Sequence, residues 1–457
     1  MPLSFNCFSG RDVGLRSPCP FEINGRRLNA KGAGLPLRIY GSFPALVAAL
    51  LLLCQPVMAQ SAAPNPRAPE ITGLYNSPDD VDNQLAESEE RYDALFPVGP
   101  LEPFYVQWEH FTRRLAQEIG LDLGLNYTAL YQHSDTSLPG RQSQGAVGDL
   151  DFFGRWNLVN RGGPWPGAMV FFTENRHRFT EIPPSDLGGA IGSLWGTTNA
   201  FSTQDYALTQ LYWEQGSRED RLVFRLGKMD PDSIYDRSRY VSANEAFLNQ
   251  AFSTTLAMPV PNTGLGAALA ISPITNTYVV GGVHDANGTK TSFGEIEKGE
   301  LFTAIELGVA PGHGKPGAGL YHVTLWHSDE REEANRPSGR GIALTFQQEL
   351  GPDGDIVPFF RYSYGDGGAT PIRQAIVVGM SLEEPFGQNN DLIGVGFSWG
   401  QPTDSTLRDQ YVLEAFYRLQ VTPHTNLSPD IQVIFDPSEN PAEETIIVGS
   451  ARLRTVF

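Results

Sequence analysis

Ile447, Val448, Gly449, Ser450, Ala451, Arg452, Leu453, Arg454, Thr455, Val456, Phe457: in this closing stretch, residues 447, 449, 451, 453, 455 and 457 share one parity, and Ser450, Arg452 and Arg454 lie on the other between Val448 and Val456. Successive side chains of a strand point to opposite faces, so one face suits hydrocarbon and the other suits water at its centre. An alternating strand that ends on an aromatic is expected for the last strand of an outer-membrane β-barrel.

The N-terminal region agrees with export. Ala45 to Cys54 is an apolar run preceded by Arg38 and followed by the small-residue site Val57, Met58, Ala59. It is too short to span a bilayer as a helix and has the layout of a signal peptide cleaved after Ala59. Leu53 before Cys54 argues against lipid attachment there. Residues 1–59 are therefore read as a signal peptide with an over-long start, Met1 to Arg38 exceeding an ordinary basic leader.

All three cysteines, Cys7, Cys19 and Cys54, fall in that region, which leaves the exported chain no disulfide, thiol chemistry or Cys-based zinc site. Its loss removes six Lys/Arg and two Asp/Glu, so the net charge moves from -19 to -23. So acidic a surface excludes nucleic acid as a partner and reads as long solvated loops.

Residues 60–103 are Pro-rich and then acidic (Asp79, Asp80, Asp82, Glu87, Glu89, Glu90), which predicts a flexible periplasmic segment. In residues 104–119, Trp108, Phe111, Leu115 and Ile119 recur at steps of three and four, as in a short amphipathic helix lying against or in the barrel mouth. A first strand is the alternative for so short a pattern.

From residue 120 to 457, period-two alternation returns between Gly, Pro, Asn and Asp clusters. Leu150, Phe152, Trp156 and Leu158 oppose Asp149, Asp151, Arg155 and Asn157; Tyr411, Leu413, Ala415, Tyr417 and Leu419 oppose Glu414, Arg418 and Gln420. Mid-strand charges on the polar face, and aromatics such as Tyr411, Tyr417 and Phe435 near strand ends, favour a membrane barrel over a soluble sandwich. The predicted fold is all-β: a transmembrane antiparallel up-and-down β-barrel of about 16 strands with a short N-terminal helix, counts of about 14 or 18 staying open.

Beyond pattern, Leu211 to Gln215, Val223 to Asp230, Ser233 to Asp236, Phe247 to Gln250, Gly264 to Gly266, Gly281 to Ala286 and Leu427 to Pro437, in that order, resemble the carbohydrate-selective porins of the OprB family. The resemblance covers about residues 120 to 457. It implies a monomeric barrel of largely 16 strands in the outer membrane of a Gram-negative bacterium, which passes mono- or oligosaccharides into the periplasm without turnover, energy input or cofactor. A trimer stays open, outer-membrane lipid is the expected surroundings, and the segment 60–103 is not explained by the family pattern.

A sugar offers hydroxyls and an apolar ring face, so a selective constriction needs Arg forks and carboxylate acceptors near aromatic surface. By parity Arg155, Arg225, Arg361 and Arg418 point inward, with Glu214 and Glu414 as partners, and Lys228 and Asp230 follow Arg225 in the family-like block. Arg225 is the leading candidate. Each of these could instead be a solvated lumen charge that keeps the barrel round. Arg452 and Arg454 read as structural. Tyr212, Trp326 and Trp399 offer stacking surface if they face inward.

Asp230 to Asp236 lacks the glycine and terminal glutamate of an EF-hand loop and reads as a turn. His322 and His327 are placed at a strand end, and no metal site is expected. No hydrolase elbow, zinc-protease helix or phosphate loop is present, so enzymes rank last, behind a general porin for small polar solutes and an export-channel component of a polysaccharide system.

Overall fold

The computed structural model describes residues 77–217, 221–312, 315–332, 334–387 and 390–457; the signal peptide expected over 1–59 and the first part of the 60–103 segment lie outside them. Two helices come first, α1 (Val81–Glu89) and α2 (Glu102–Ile119). Then follow β1 (Leu121–Ser134), β2 (Gln144–Val159), β3 (Gly167–Arg178), β4 (Gln204–Ser217), β5 (Leu222–Met229), β6 (Gly264–Ile271), β7 (Thr277–Asp285) and β8 (Leu301–Val309). The second half of the wall is β9 (Gly319–Ser328), β10 (Gly339–Gln348), β11 (Ile356–Asp366), β12 (Ile372–Glu383), β13 (Leu392–Pro402), β14 (Gln410–Thr422), β15 (Thr425–Phe435) and β16 (Thr445–Val456).

Each strand pairs with its sequence neighbours and β1 pairs antiparallel with β16, closing a barrel of sixteen strands. Closure leaves no edge, so every strand finds backbone partners on both sides. The register sets Ala129 opposite Leu453 and Thr128 opposite Arg454. Leu453 is 43% exposed on the outside while Arg454 is fully buried inside, as parity predicts. Leu325, Val395, Phe397 and Leu413 extend the outward apolar surface along other strands.

The two ends differ. At the end that holds Phe457, connections are tight, such as Pro423 and His424 between β14 and β15; at the other, residues 179–203 and 230–263 form long loops, here L2 and L3. Pro103 starts α2 in its first turn and Gly120, at φ 74°, ends it. Tyr105 on α2 stacks on His424 at 3.9 Å and on Phe457 at 4.8 Å, so the helix packs on the turn end.

One expectation about the interior needs correction, and one feature of it goes beyond the sequence reading. Residues 77–90, expected to be part of a flexible segment, hold a turn and α1, and Val81 is buried among Phe153, Val170, Phe172, Tyr212 and Met229. Composition shows too little apolar surface for a core, but here the acidic residues find arginine partners. The inner face is also not charged throughout. On β11 to β16, Val357, Phe359, Val377, Val412, Phe416, Ile434 and Val448 form a buried apolar cluster with Trp195 of L2 and Phe247 and Phe252 of L3. Both loops fold inward and take up part of the lumen, and burial of their aromatic side chains contributes roughly 2 kcal/mol each. Glycines make this approach possible: a Cβ at Gly396 on β13 would lie 2.5 Å from Phe252.

Candidate functional site

Of the candidate charges that parity aims inward, Arg155, Arg225 and Glu214 meet on one wall and Arg361 meets loop partners on another. On the β1 to β5 wall, Arg225 faces Glu214 in register across β4 and β5. Arg225 Nε donates to Glu214 at 2.7 Å, Arg155 Nη1 donates to the other Glu214 oxygen at 2.7 Å, and the Arg225 guanidinium lies 5.1 Å from the centre of the Tyr212 ring. Gly227, at φ 141°, passes directly against Leu211 and Tyr212, where a Cβ would collide with the backbone. The segment before the barrel completes the network: Arg225 Nη1 to Asp80 at 2.7 Å, Arg155 Nη1 to Asp82 at 3.1 Å, and Arg454 Nη2 to Glu87 at 2.7 Å. Burial raises the Asp82 carboxyl to about 6 against the pull of Arg155, so it is charged at neutral pH.

On the β8 to β11 wall the partners come from L3. Asp236 accepts from Arg361 at 2.8 Å, from Thr345 at 2.6 Å and from Thr255, and contacts His322 Nε2 at 3.0 Å. Its own N–H donates to Glu306 at 2.6 Å. Burial alone would raise the Asp236 carboxyl, yet Arg361 and then His322 pull it far below the ordinary carboxylate range. Arg361 also donates to the Phe252 carbonyl at 2.9 Å.

The remaining sequence candidates have other surroundings. Glu414, expected as an arginine's partner, accepts instead from the N–H groups of Leu248 and Asn249 at 2.6 and 3.0 Å and so holds L3. Arg418 donates to the Asn390 carbonyl and side chain at 2.9 and 2.6 Å. Lys228 donates to the carbonyls of Leu208 and Lys290. Asp230 caps the turn at Pro231–Ser233, accepting from Asp232 N–H at 3.0 Å. Tyr212 and Trp326 face inward, whereas Trp399 does not and donates to Asp409. His322 stands in mid-strand, not at a strand end, on the parity of Thr324 and Trp326, a signal the alternation already contained.

Arg452, which donates to the Ala243 and Ala246 carbonyls at 2.6 and 2.9 Å, anchors L3. Asp149, Asp151 and Glu174 bring carboxylate oxygens within 4.8 Å of one another. Arg176 bonds to Asp149 at 2.8 Å and to Glu174, and Lys290 reaches Glu174 at 3.1 Å, so the chain's own cations already serve this cluster.

Two water-accessible chambers flank these networks. The one toward the long loops, about 470 Å³, is lined by Asp151, Glu174, Arg176, Arg237, Lys290 and Trp195, among others. The one toward the turn end, about 830 Å³, includes Asp82, Arg155, Glu214, Tyr105 and Phe457 in its lining.

A closed sixteen-stranded barrel with inward-folded loops and a charged, aromatic-lined interior defines a porin. Residues 165–457 match the model of the carbohydrate-selective porin, OprB family, and the chain belongs to that family. Porin AaxA of Chlamydia abortus is 24% identical over 310 residues, 65% of this chain and 67% of that protein. Porin AaxA of Chlamydia caviae is 26% identical over 310 residues with the same coverage. The high-pH structure of Pseudomonas putida OprB is similar in fold, with a TM-score of 0.64 at 15% identity over 77% of this chain and 97% of that one. The protein is thus a channel of the Gram-negative outer membrane and not an enzyme, with its turn end toward the periplasm.

Proposed function

We propose that this porin gives sugars passive, selective passage into the periplasm, and that Arg225, Glu214 and Arg155 form part of its constriction. The observation that carries the reading is the Arg225, Glu214 and Arg155 network beside the Tyr212 ring. Guanidinium forks supply donors in a fixed plane and carboxylates supply acceptors, which match a sugar's hydroxyls, and Arg155 and Glu214 line the chamber toward the turn end. Arg176, Arg237 and Lys290 beside Asp151, Glu174 and Trp195 repeat that chemistry in the chamber toward the long loops. Family membership supports carbohydrate as the solute class. The barrel works as a monomer with its outward apolar surface in lipid.

Single-channel conductance of the refolded mature chain in a planar bilayer, titrated with glucose and larger neutral sugars, tests this. Saturable block by sugar that weakens several-fold in Arg225→Ala is the expected result. Open channels indifferent to every sugar would make the protein a general porin for small polar solutes.

A further inference from the structure

Residues 77–90 lie inside the barrel and are outside the matched family region, which begins at residue 165. Four kinds of contact seat them. Asp80, Asp82 and Glu87 pair with Arg225, Arg155 and Arg454 on three different parts of the wall. Val81 is buried against Phe153 and Tyr212. The side-chain amides of Gln84 and Asn126 of β1 meet at 2.7 Å. On the opposite side, Asp79 accepts from Ser242 of L3 at 2.6 Å and from Asn244 at 3.2 Å, and Ser77 N–H meets the Ser233 carbonyl at 3.5 Å. The segment therefore bridges wall to loop across the lumen. Its two faces line different spaces: Ser77, Asp79 and Gln84 face the chamber toward the long loops, and Asp82, Leu85 and Glu89 face the one toward the periplasm.

We propose that residues 77–90 are a built-in plug that forms one jaw of the constriction, with L3 as the other, and that Asp80, Asp82 and Glu87 set the channel's ion selectivity by neutralising the arginines of the wall. The physical ground is size and charge together. A helix with its side chains is about 10 Å across, a large part of a lumen already narrowed by two loops. Arg225, Arg155 and Arg454 outweigh Glu214 on the wall, and the three carboxylates of the segment turn that excess of positive charge into a slight excess of negative. The proposal rests on the protein's being a channel and not on which solute it carries.

The test is ion current without sugar. In the mature chain lacking residues 77–90, conductance is expected to rise at least about twofold, as removal of a rod about 10 Å across requires. The zero-current potential in a salt gradient should shift toward anions. Asp80→Asn with Asp82→Asn and Glu87→Gln, which keeps the bulk, should reproduce the selectivity shift with a smaller rise in conductance. Unchanged conductance and selectivity in both variants would overturn the proposal while leaving sugar selectivity untouched. Should the deletion not fold, the carboxylate variant still reads the selectivity, and a cysteine pair tests the seat of the segment. The chain after residue 59 has no cysteine of its own, so Ser77→Cys with Ser233→Cys should oxidise to a single intramolecular bond in the folded barrel, and failure to form it would overturn the placement of the segment.

Discussion

Arg225 on β5 and Arg361 on β11 carry the same local signal, an inward arginine on an alternating strand, and both are buried. Their roles differ. Arg225 has one partner on the next strand, Glu214, and one from outside the barrel wall, Asp80. The hydrogen-bond partners of Arg361 all belong to L3: Asp236, Thr255 and the Phe252 carbonyl. The first arginine keeps a wall-borne carboxylate whatever happens to the segment in the lumen; the second depends on a loop. A charge on a barrel wall is thus given its function by whichever distant segment reaches it.

The largest effect should follow from removing the partner on which Arg361 depends. Asp236→Ala leaves a buried guanidinium unpaired, which costs about 3 to 5 kcal/mol when a buried pair is broken this way. Limited proteolysis should then cut within residues 230–263 of the variant and not of the parent. If L3 stays equally protected, the loop is held by its aromatic side chains and not by this pair. The same group gives a pH signature. Its carboxyl is depressed in the folded state, so the stabilisation is present above the ordinary value of 3.8 and is lost as pH falls below it. L3 should keep its protection at pH 5 and yield progressively in stronger acid.

Asp80→Ala probes the other arginine and should cost less, about 1.5 to 3 kcal/mol for a charged hydrogen bond, because Arg225 retains Glu214. Thermal unfolding followed by gel mobility of the heated barrel would rank the two variants. A loss equal to that of Asp236→Ala would erase the distinction drawn between the two walls.

The smallest effect joins the two regions. Glu245 of L3 faces Glu87 and Asp79 of the plug together with Arg454 and Arg418 of the wall, and burial, then Glu87, push its carboxyl up to about 8. A folded-state value above the usual 4.5 means that the seated loop takes up a proton, so its hold weakens as pH rises from 4.5 to 8 and a negative charge is complete in the lumen above 8. Cation preference, read as zero-current potential, should therefore rise modestly between pH 7 and 9, and Glu245→Gln should flatten that change.

Much of the barrel was legible in the chain. The parity of residues 447 to 457 foretold which side of β16 turns outward, and Arg225 and Arg361 are buried on the face that parity gives them, because which face a residue takes is a local property of an extended backbone. Glu414 shows where such reasoning stops: parity turned it inward, but the two backbone N–H groups it holds lie over 160 residues away. Two unused signals marked the apolar side of the lumen. Ile356 to Phe360 is apolar on both parities, and Gly394, Gly396 and Gly400 line one face of β13, both fitting a wall that something packs against.

The sequence alone thus determined the class of fold, the closing strand, the inward and outward faces and the residue types available to a sugar, since each follows from period-two geometry and side-chain chemistry. Only the tertiary structure decided that L3 and residues 77–90 enter the lumen and which arginine each one meets. Those contacts depend on side chains far apart in the chain, whose desolvation is repaid only once the barrel has closed around them.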